Sequence, residues 1–158
     1  MTDLERCYAS AVRILQYRWN SVVELRRKLR RKDFDAETID ATIAKLARDK
    51  WLDDERFAGA FVRTRTRRNQ GRLRIKAELG AAGISDAAVA RAIAENVDPA
   101  EERERLTGLC RKKIEMMKRR RGAEFVTTDD GRSRIAASLV RSGYETSLVF
   151  DVLRELLR

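Results

Sequence analysis

The chain has 158 residues, 43% of them hydrophobic and 38% charged, and 35 lysines and arginines against 25 acids give a net charge of +10. That length suits one domain or a row of small units sharing a core, and the apolar share excludes wholesale disorder. Histidine is absent and Cys7 and Cys110 are the only thiols, which excludes a zinc site of the usual Cys/His kind.

Proline occurs once and apolar residues recur at steps of three and four, so every element is expected to be helical. The opening "MTDLERCYASAV" carries early acids and no long apolar run, which argues against a signal peptide. No segment approaches the ~20 apolar residues of a membrane span, so a cytoplasmic protein with reduced thiols is expected. The first helix is expected from about Leu4 to Arg18, with Leu4, Tyr8, Ala11 and Leu15 on its inner face. Ser21 and Glu24 form a capping box for the second helix, and Asp35 caps the third. Asp53 caps a fourth helix, about Asp54 to Arg68, while Asp54 and Glu55 complement its dipole and Phe57 and Phe61, with Ala58 and Val62, face inward. These adjacent acids have no histidine or further acid at ligand spacing, so neither a metal site nor an acid–base pair is built on them. Ser85 caps a sixth helix, and Asp98 with Pro99 opens a long seventh, Pro99 to Arg121, with Leu106, Leu109, Ile114 and Met117 as its apolar members.

A repeat ties these elements together. Leu25, Leu29, Phe34, Ile39 and Ile43 are spaced 4, 5, 5 and 4 residues apart. The same spacing recurs in Ile75, Leu79, Ile84, Val89 and Ile93, and again in Ile135, Leu139, Tyr144, Val149 and Leu153. Steps of four keep neighbours on one helical face; the steps of five cross a break, reading "RKDFD", "AAGIS" and "RSGYE". Gly83 and Gly143 suit a left-handed helix end, and Asp33 holds the matching place as a weaker stop. The predicted architecture is all-α: three tandem three-helix repeats, residues 1–50, 51–97 and 98–158, stacked into an elongated, curved array. The ten extra residues of the third repeat fall at Gly122 to Gly131, expected as a mobile loop.

The charge is clustered. Arg63, Arg65, Arg67, Arg68, Arg72, Arg74 and Lys76 run across the end of one helix, an "NQG" turn and the start of the next. Cations at a helix end suit its dipole, but those at the following start oppose it, which hints at an outside partner. The alternative is a solvated face with internal salt bridges. Further clusters are Arg26, Arg27, Arg30 and Arg31 in the first repeat and Lys118, Arg119, Arg120 and Arg121 in the third. Together they are expected to line one trough able to hold a polyanion by phosphate contacts. Tyr17, Trp19 and Trp51 sit at helix ends, where packing between helices is the expected role and base stacking the alternative.

The segment "WLDDERFAGAFVRTRTRRNQGRLRIKAELGAAGI", Trp51 to Ile84, resembles the central signature of the RecX regulatory proteins, and "YASAVRILQYRWNSVVELRRKL", Tyr8 to Leu29, is similar to that family's first repeat. The likeness spans the first two thirds of the chain; from about Glu101 it holds in helix pattern more than in letters. Lys50 and Asn69 stand where the family tends to have glycine. The resemblance implies a non-enzymatic modulator of the RecA recombinase, built of three three-helix repeats. Such a protein lies in the groove of the RecA filament on single-stranded DNA and limits its growth, ATP hydrolysis and recombinase and coprotease activities. It also implies a place in homologous recombination, DNA repair and the SOS response, no cofactor, and a monomer. The rival reading is a free-standing helical nucleic-acid-binding protein, a transcriptional or RNA factor. Yet the third helices of the repeats lack the Asn, Gln and Arg that read base edges.

Overall fold

The computed structural model describes all 158 residues. They form nine α-helices: α1 Asp3–Tyr17, α2 Val22–Arg30, α3 Ala36–Arg48, α4 Asp54–Arg67, α5 Arg72–Ala81, α6 Asp86–Asn96, α7 Pro99–Arg121, α8 Asp129–Arg141 and α9 Thr146–Leu156. The three-by-three helix count read from the repeat spacing is thereby borne out. The chain sorts into two compact units, one of Met1–Phe61 with Glu78–Ala92 and one of Val62–Ala77 with Ile93–Arg158.

The helix starts follow from local chemistry. Ser21 Oγ accepts from the Glu24 amide at 3.1 Å while the Ser21 amide donates back to Glu24 Oε2 at 3.3 Å, which satisfies two amide donors at once. Asp35 takes the Thr38 amide at 2.7 Å, Ser85 the Ala88 amide at 3.3 Å, Asp98 the Ala100 amide at 2.7 Å, and Asp53 those of Glu55 and Arg56. The breaks are left-handed as the spacing requires: φ is 64° at Asp33, 82° at Gly83 and 102° at Gly143. Lys50 and Asn69 are left-handed too, at 62° and 61°. Each of these two is the pivot of a helix end. Trp51 donates back to the Leu46 carbonyl at 2.9 Å, and Gln70 to that of Arg65 at 3.1 Å.

In the first unit, Cys7, Ala11, Leu25, Leu29, Ile39 and Leu46 are wholly buried together, with Leu52 at their edge. Leu4 is exposed, contrary to expectation; Cys7, three residues on, is the first fully buried residue of α1. The α2 start is fastened by Ser21 Oγ, which also donates to the Ala82 carbonyl at 2.6 Å, and by Asp54 Oδ1, which accepts the Val22 amide at 3.0 Å. Asp54 is therefore a tie to α2 as well as a dipole partner. Gly83 packs on Val23 so closely that a Cβ there would lie 2.3 Å from Val23 Cγ2.

In the second unit the core is Leu106, Cys110, Ile114, Ile135, Leu139 and Tyr144 with the inner face of α9. Cys110 stands where the sequence pattern offered Leu109, which is only half-buried. Of the fifteen repeat positions only Phe34 and Ile93 are half-buried rather than buried. The extra residues before α8 are shaped rather than an open loop: Phe125–Thr127 form a 3-10 turn and α8 already begins at Asp129. Val126, 1% exposed, anchors that turn in the core.

Candidate partner interface

The seven-cation run from Arg63 to Lys76 lies entirely in the second unit. Its middle is a tight turn. The Arg68 and Gln70 amides both donate to the Arg65 carbonyl at 3.1 Å, and Asn69 takes the left-handed position between them. The turn is sewn to the break between α8 and α9. The Gly71 amide donates to the Ser142 carbonyl at 2.8 Å, the Leu73 amide to the Gly143 carbonyl at 3.0 Å, and the Tyr144 hydroxyl to the Asn69 carbonyl at 3.0 Å. Amides at a helix start have no partner inside the helix, so these carbonyls supply what a side-chain cap would. Gly71 permits the approach: a Cβ there would sit 2.3 Å from the Gly143 carbonyl carbon. Tyr144 is fully buried, and that burial pushes its phenol above its ordinary pKa.

Arg72 is committed to the fold. Its Nη2 and Nε donate to Glu102 Oε2 at 2.6 and 2.7 Å, and Glu102 is only 2% exposed. The hydrogen bond that Arg72 donates to the Glu102 carboxylate, more than any other cause, raises the guanidinium above its usual pKa. Arg63 donates to Asn96 Oδ1 at 3.0 Å on α6. Arg65 is half-buried on α4, and Arg74 is exposed on α5 with its Cβ packed beside Gly143. Arg67, Arg68 and Lys76 are exposed and carry no ion pair within the chain. Leu73, 46% exposed, stands among them as a large apolar residue facing water, and no acid lies in the first turn of α5.

The other two clusters divide similarly. In the first unit Arg26 pairs with Asp40, whereas Arg27, Arg30 and Arg31 share an open face of α2 at steps of three and four. In the second unit Lys118 pairs with Glu115 at 3.3 Å and Arg121 lies over the Phe125 ring at 4.2 Å, leaving Arg119 and Arg120 unpaired. Both groups sit in the last turns of α2 and α7, where the helix dipole itself favours cations. The aromatic residues depart from expectation. Tyr17 is 91% exposed, Trp19 is 47% exposed with the Arg56 guanidinium 5.2 Å from its ring centre, and Trp51 lies at the surface. Tyr17 is the last residue of α1, and Trp19 and Trp51 fall just beyond the ends of α1 and α3.

Glu102, in the first turn of α7, and Tyr144, a core residue as its place in the repeat predicts, each also bond to the basic run, a role that sequence reasoning missed. No cluster of Cys, Asp and Glu able to hold a metal ion is present, and no helix is long and apolar enough to cross a membrane.

Comparison with known proteins is consistent with this architecture. Residues 7–46 match the family model described as RecX, first three-helix domain, and residues 53–93 that of RecX, second three-helix domain. A regulatory protein RecX of Amycolatopsis mediterranei is 33% identical over 92% of this chain and 79% of its own length. One from Xanthomonas axonopodis pv. citri is 33% identical over 85% of this chain and 78% of its own. The crystal structure of RecX from Lactobacillus salivarius superposes with a TM-score of 0.83, at 24% identity, over 98% of this chain and 96% of that one. The chain belongs to the RecX family of regulatory proteins.

Proposed function

We propose that this chain is a non-enzymatic regulator that binds the filament formed by the RecA recombinase on single-stranded DNA and restrains its growth, ATP hydrolysis and recombinase and coprotease activities. Family membership supplies the class of partner. The observation that carries the reading is the set of unpaired cations Arg67, Arg68 and Lys76 around exposed Leu73, on a turn tied to the α8–α9 break by two backbone hydrogen bonds and the Tyr144 hydroxyl. Two of these cations flank a helix start with no local acid to offset them, so an acidic protein face or a phosphate offsets them best. Leu73 adds the apolar contact that a protein partner rewards and a phosphate backbone does not. Restraint of the filament then requires tighter binding to the arrested protomer arrangement than to the active one.

The test uses Arg67→Glu with Arg68→Glu, which leaves Arg72 in its bond to Glu102. This double variant should keep its helical circular dichroism and lose most of its inhibition of DNA-dependent ATP hydrolysis by RecA. Inhibition equal to wild type would refute the strip. A sharp sequence preference on DNA in the absence of recombinase would favour a free-standing nucleic-acid binder instead.

A further inference from the structure

A groove lies between α7 and α8 in the second unit, apart from the α4–α5 strip. Its floor is Met116, Met117 and Ile135, and its volume is about 260 Å³. Around that floor stand Lys113, Arg120, Arg121 and Arg134. The α7 contributors fall at positions 113, 116, 117, 120 and 121, the three-and-four spacing of one helical stripe. Met116 is half-exposed, unusual for a flexible thioether beside a core, and such methionines adapt to varied apolar partners.

The rim is set in part before any partner arrives. The Arg121 guanidinium lies 4.2 Å from the centre of the Phe125 ring and that of Arg134 lies 6.0 Å from it. Arg134 also donates to Asp130 at 3.2 Å, the one acid that offsets the rim. Lys113 and Arg120 carry no ion pair. Four cations around an apolar floor call for an occupant with acids flanking an apolar side chain. A nucleic acid meets this site poorly. The floor offers thioethers and an aliphatic chain rather than a flat ring for stacking, and guanidinium groups already attend the nearest ring, Phe125. Ser138 is the only uncharged polar side chain in the lining, so base edges find almost nothing to bond.

We propose that this groove docks an acidic amphipathic segment of a partner protein, one large apolar side chain resting on Met116, Met117 and Ile135 while flanking carboxylates pair with the four cations. The mode is that of a segment laid in a groove, with an apolar anchor for affinity and charge for orientation. It needs neither the α4–α5 strip nor a recombinase.

The chain has three methionines, Met1, Met116 and Met117, so carbon-13 labelled methionine methyl groups report the site directly. The probe is a synthetic 12-residue peptide of glutamates around one central leucine, titrated against the full chain. The Met116 and Met117 signals should shift saturably while Met1 stays fixed. The same peptide with alanine for leucine should bind at least about tenfold more weakly. Met116→Glu and Arg120→Glu, both at exposed positions, should each weaken the leucine peptide by about tenfold or more, with circular dichroism unchanged. Where Met116→Glu disturbs the fold, Arg120→Glu decides. The proposal is overturned if the two methyl signals do not move at about 1 mM peptide, if the alanine peptide binds equally well, or if a 12-mer of thymidylate moves those signals more strongly than the leucine peptide.

Discussion

Replacing Arg72 by methionine separates scaffold from contact surface within the basic run. The substitution keeps most of the side chain's length and removes its charge. Glu102, 2% exposed, then keeps a carboxylate with no cation beside it. Breaking a buried pair from one side costs about 3–5 kcal/mol. The Arg72 side chain is 31% exposed, so water reaches the vacated side and the loss should fall at or below the bottom of that range, about 2–3 kcal/mol. Arg72→Met with Glu102→Leu removes both charges, and an apolar pair of similar volume should restore most of the stability. Urea unfolding followed by circular dichroism, extrapolated linearly to water, gives all three values. A single-variant loss under about 1 kcal/mol at pH 7, or a double variant no more stable than the single one, would refute the assignment of Arg72 to the scaffold.

Lys50→Gly should raise stability by about 0.5–1 kcal/mol, because a lysine is held at φ 62° where glycine is unstrained; Asn69→Gly, at φ 61°, should be near neutral since asparagine tolerates that region. Gly143→Ala should cost upward of about 3 kcal/mol or abolish folding: its Cβ would lie 2.4 Å from Arg74 Cβ and 2.7 Å from the Arg74 backbone nitrogen, at φ 102°. Thermal scans of the three variants decide both points. Burial lifts the Cys110 thiol from 9.0 to about 11. A raised folded value stabilises fully below the unfolded pKa and is lost as pH climbs through the folded one, so unfolding free energy should fall by the order of 2–3 kcal/mol between pH 9 and 11. Cys110→Ala should flatten that fall, and an unchanged slope would remove the thiol from the account.

The helices were legible because their signals are local. A capping serine or aspartate acts over three residues and a left-handed stop over one, so Ser21, Asp35, Asp98, Gly83 and Gly143 show their roles in the letters alone. The repeat added long-range information by lining up fifteen apolar positions whose burial follows from shared spacing. What the letters hid depends on pairs far apart in the chain. Glu102 meets Arg72 across 30 residues and Tyr144 meets Asn69 across 75. Nothing in the neighbourhood of either residue announces the other. The spacing of Met117 marks it as core, and its half-burial beside four cations emerges only once α8 is laid against α7. The helix-end positions of Tyr17, Trp19 and Trp51 suggest packing between helices, yet at the last residue of α1 or beyond a helix end each faces solvent.

Charge density alone does not mark a binding residue in a chain with 35 cations. Three physical questions divide them. A cation already bonded to a buried carboxylate, as Arg72 is, leaves the fold weaker if a partner draws it away. A cation in the last turn of a helix, as Arg30 or Arg119 is, already gains from the dipole and needs no partner to explain it. A cation beside a helix start, unpaired and on a backbone that cannot relax, gains from neither source. Arg68 combines the last two cases: it directly follows the last residue of α4, yet its turn is fixed by Asn69 at φ 61° and by the Tyr144 hydroxyl, four residues before a helix with no acid in its first turn. Charge reversal at Arg68 should therefore weaken binding while costing no more stability than the ~0.3–1 kcal/mol a cation gains at the end of α4. Arg72→Met, four residues on, should show the opposite balance.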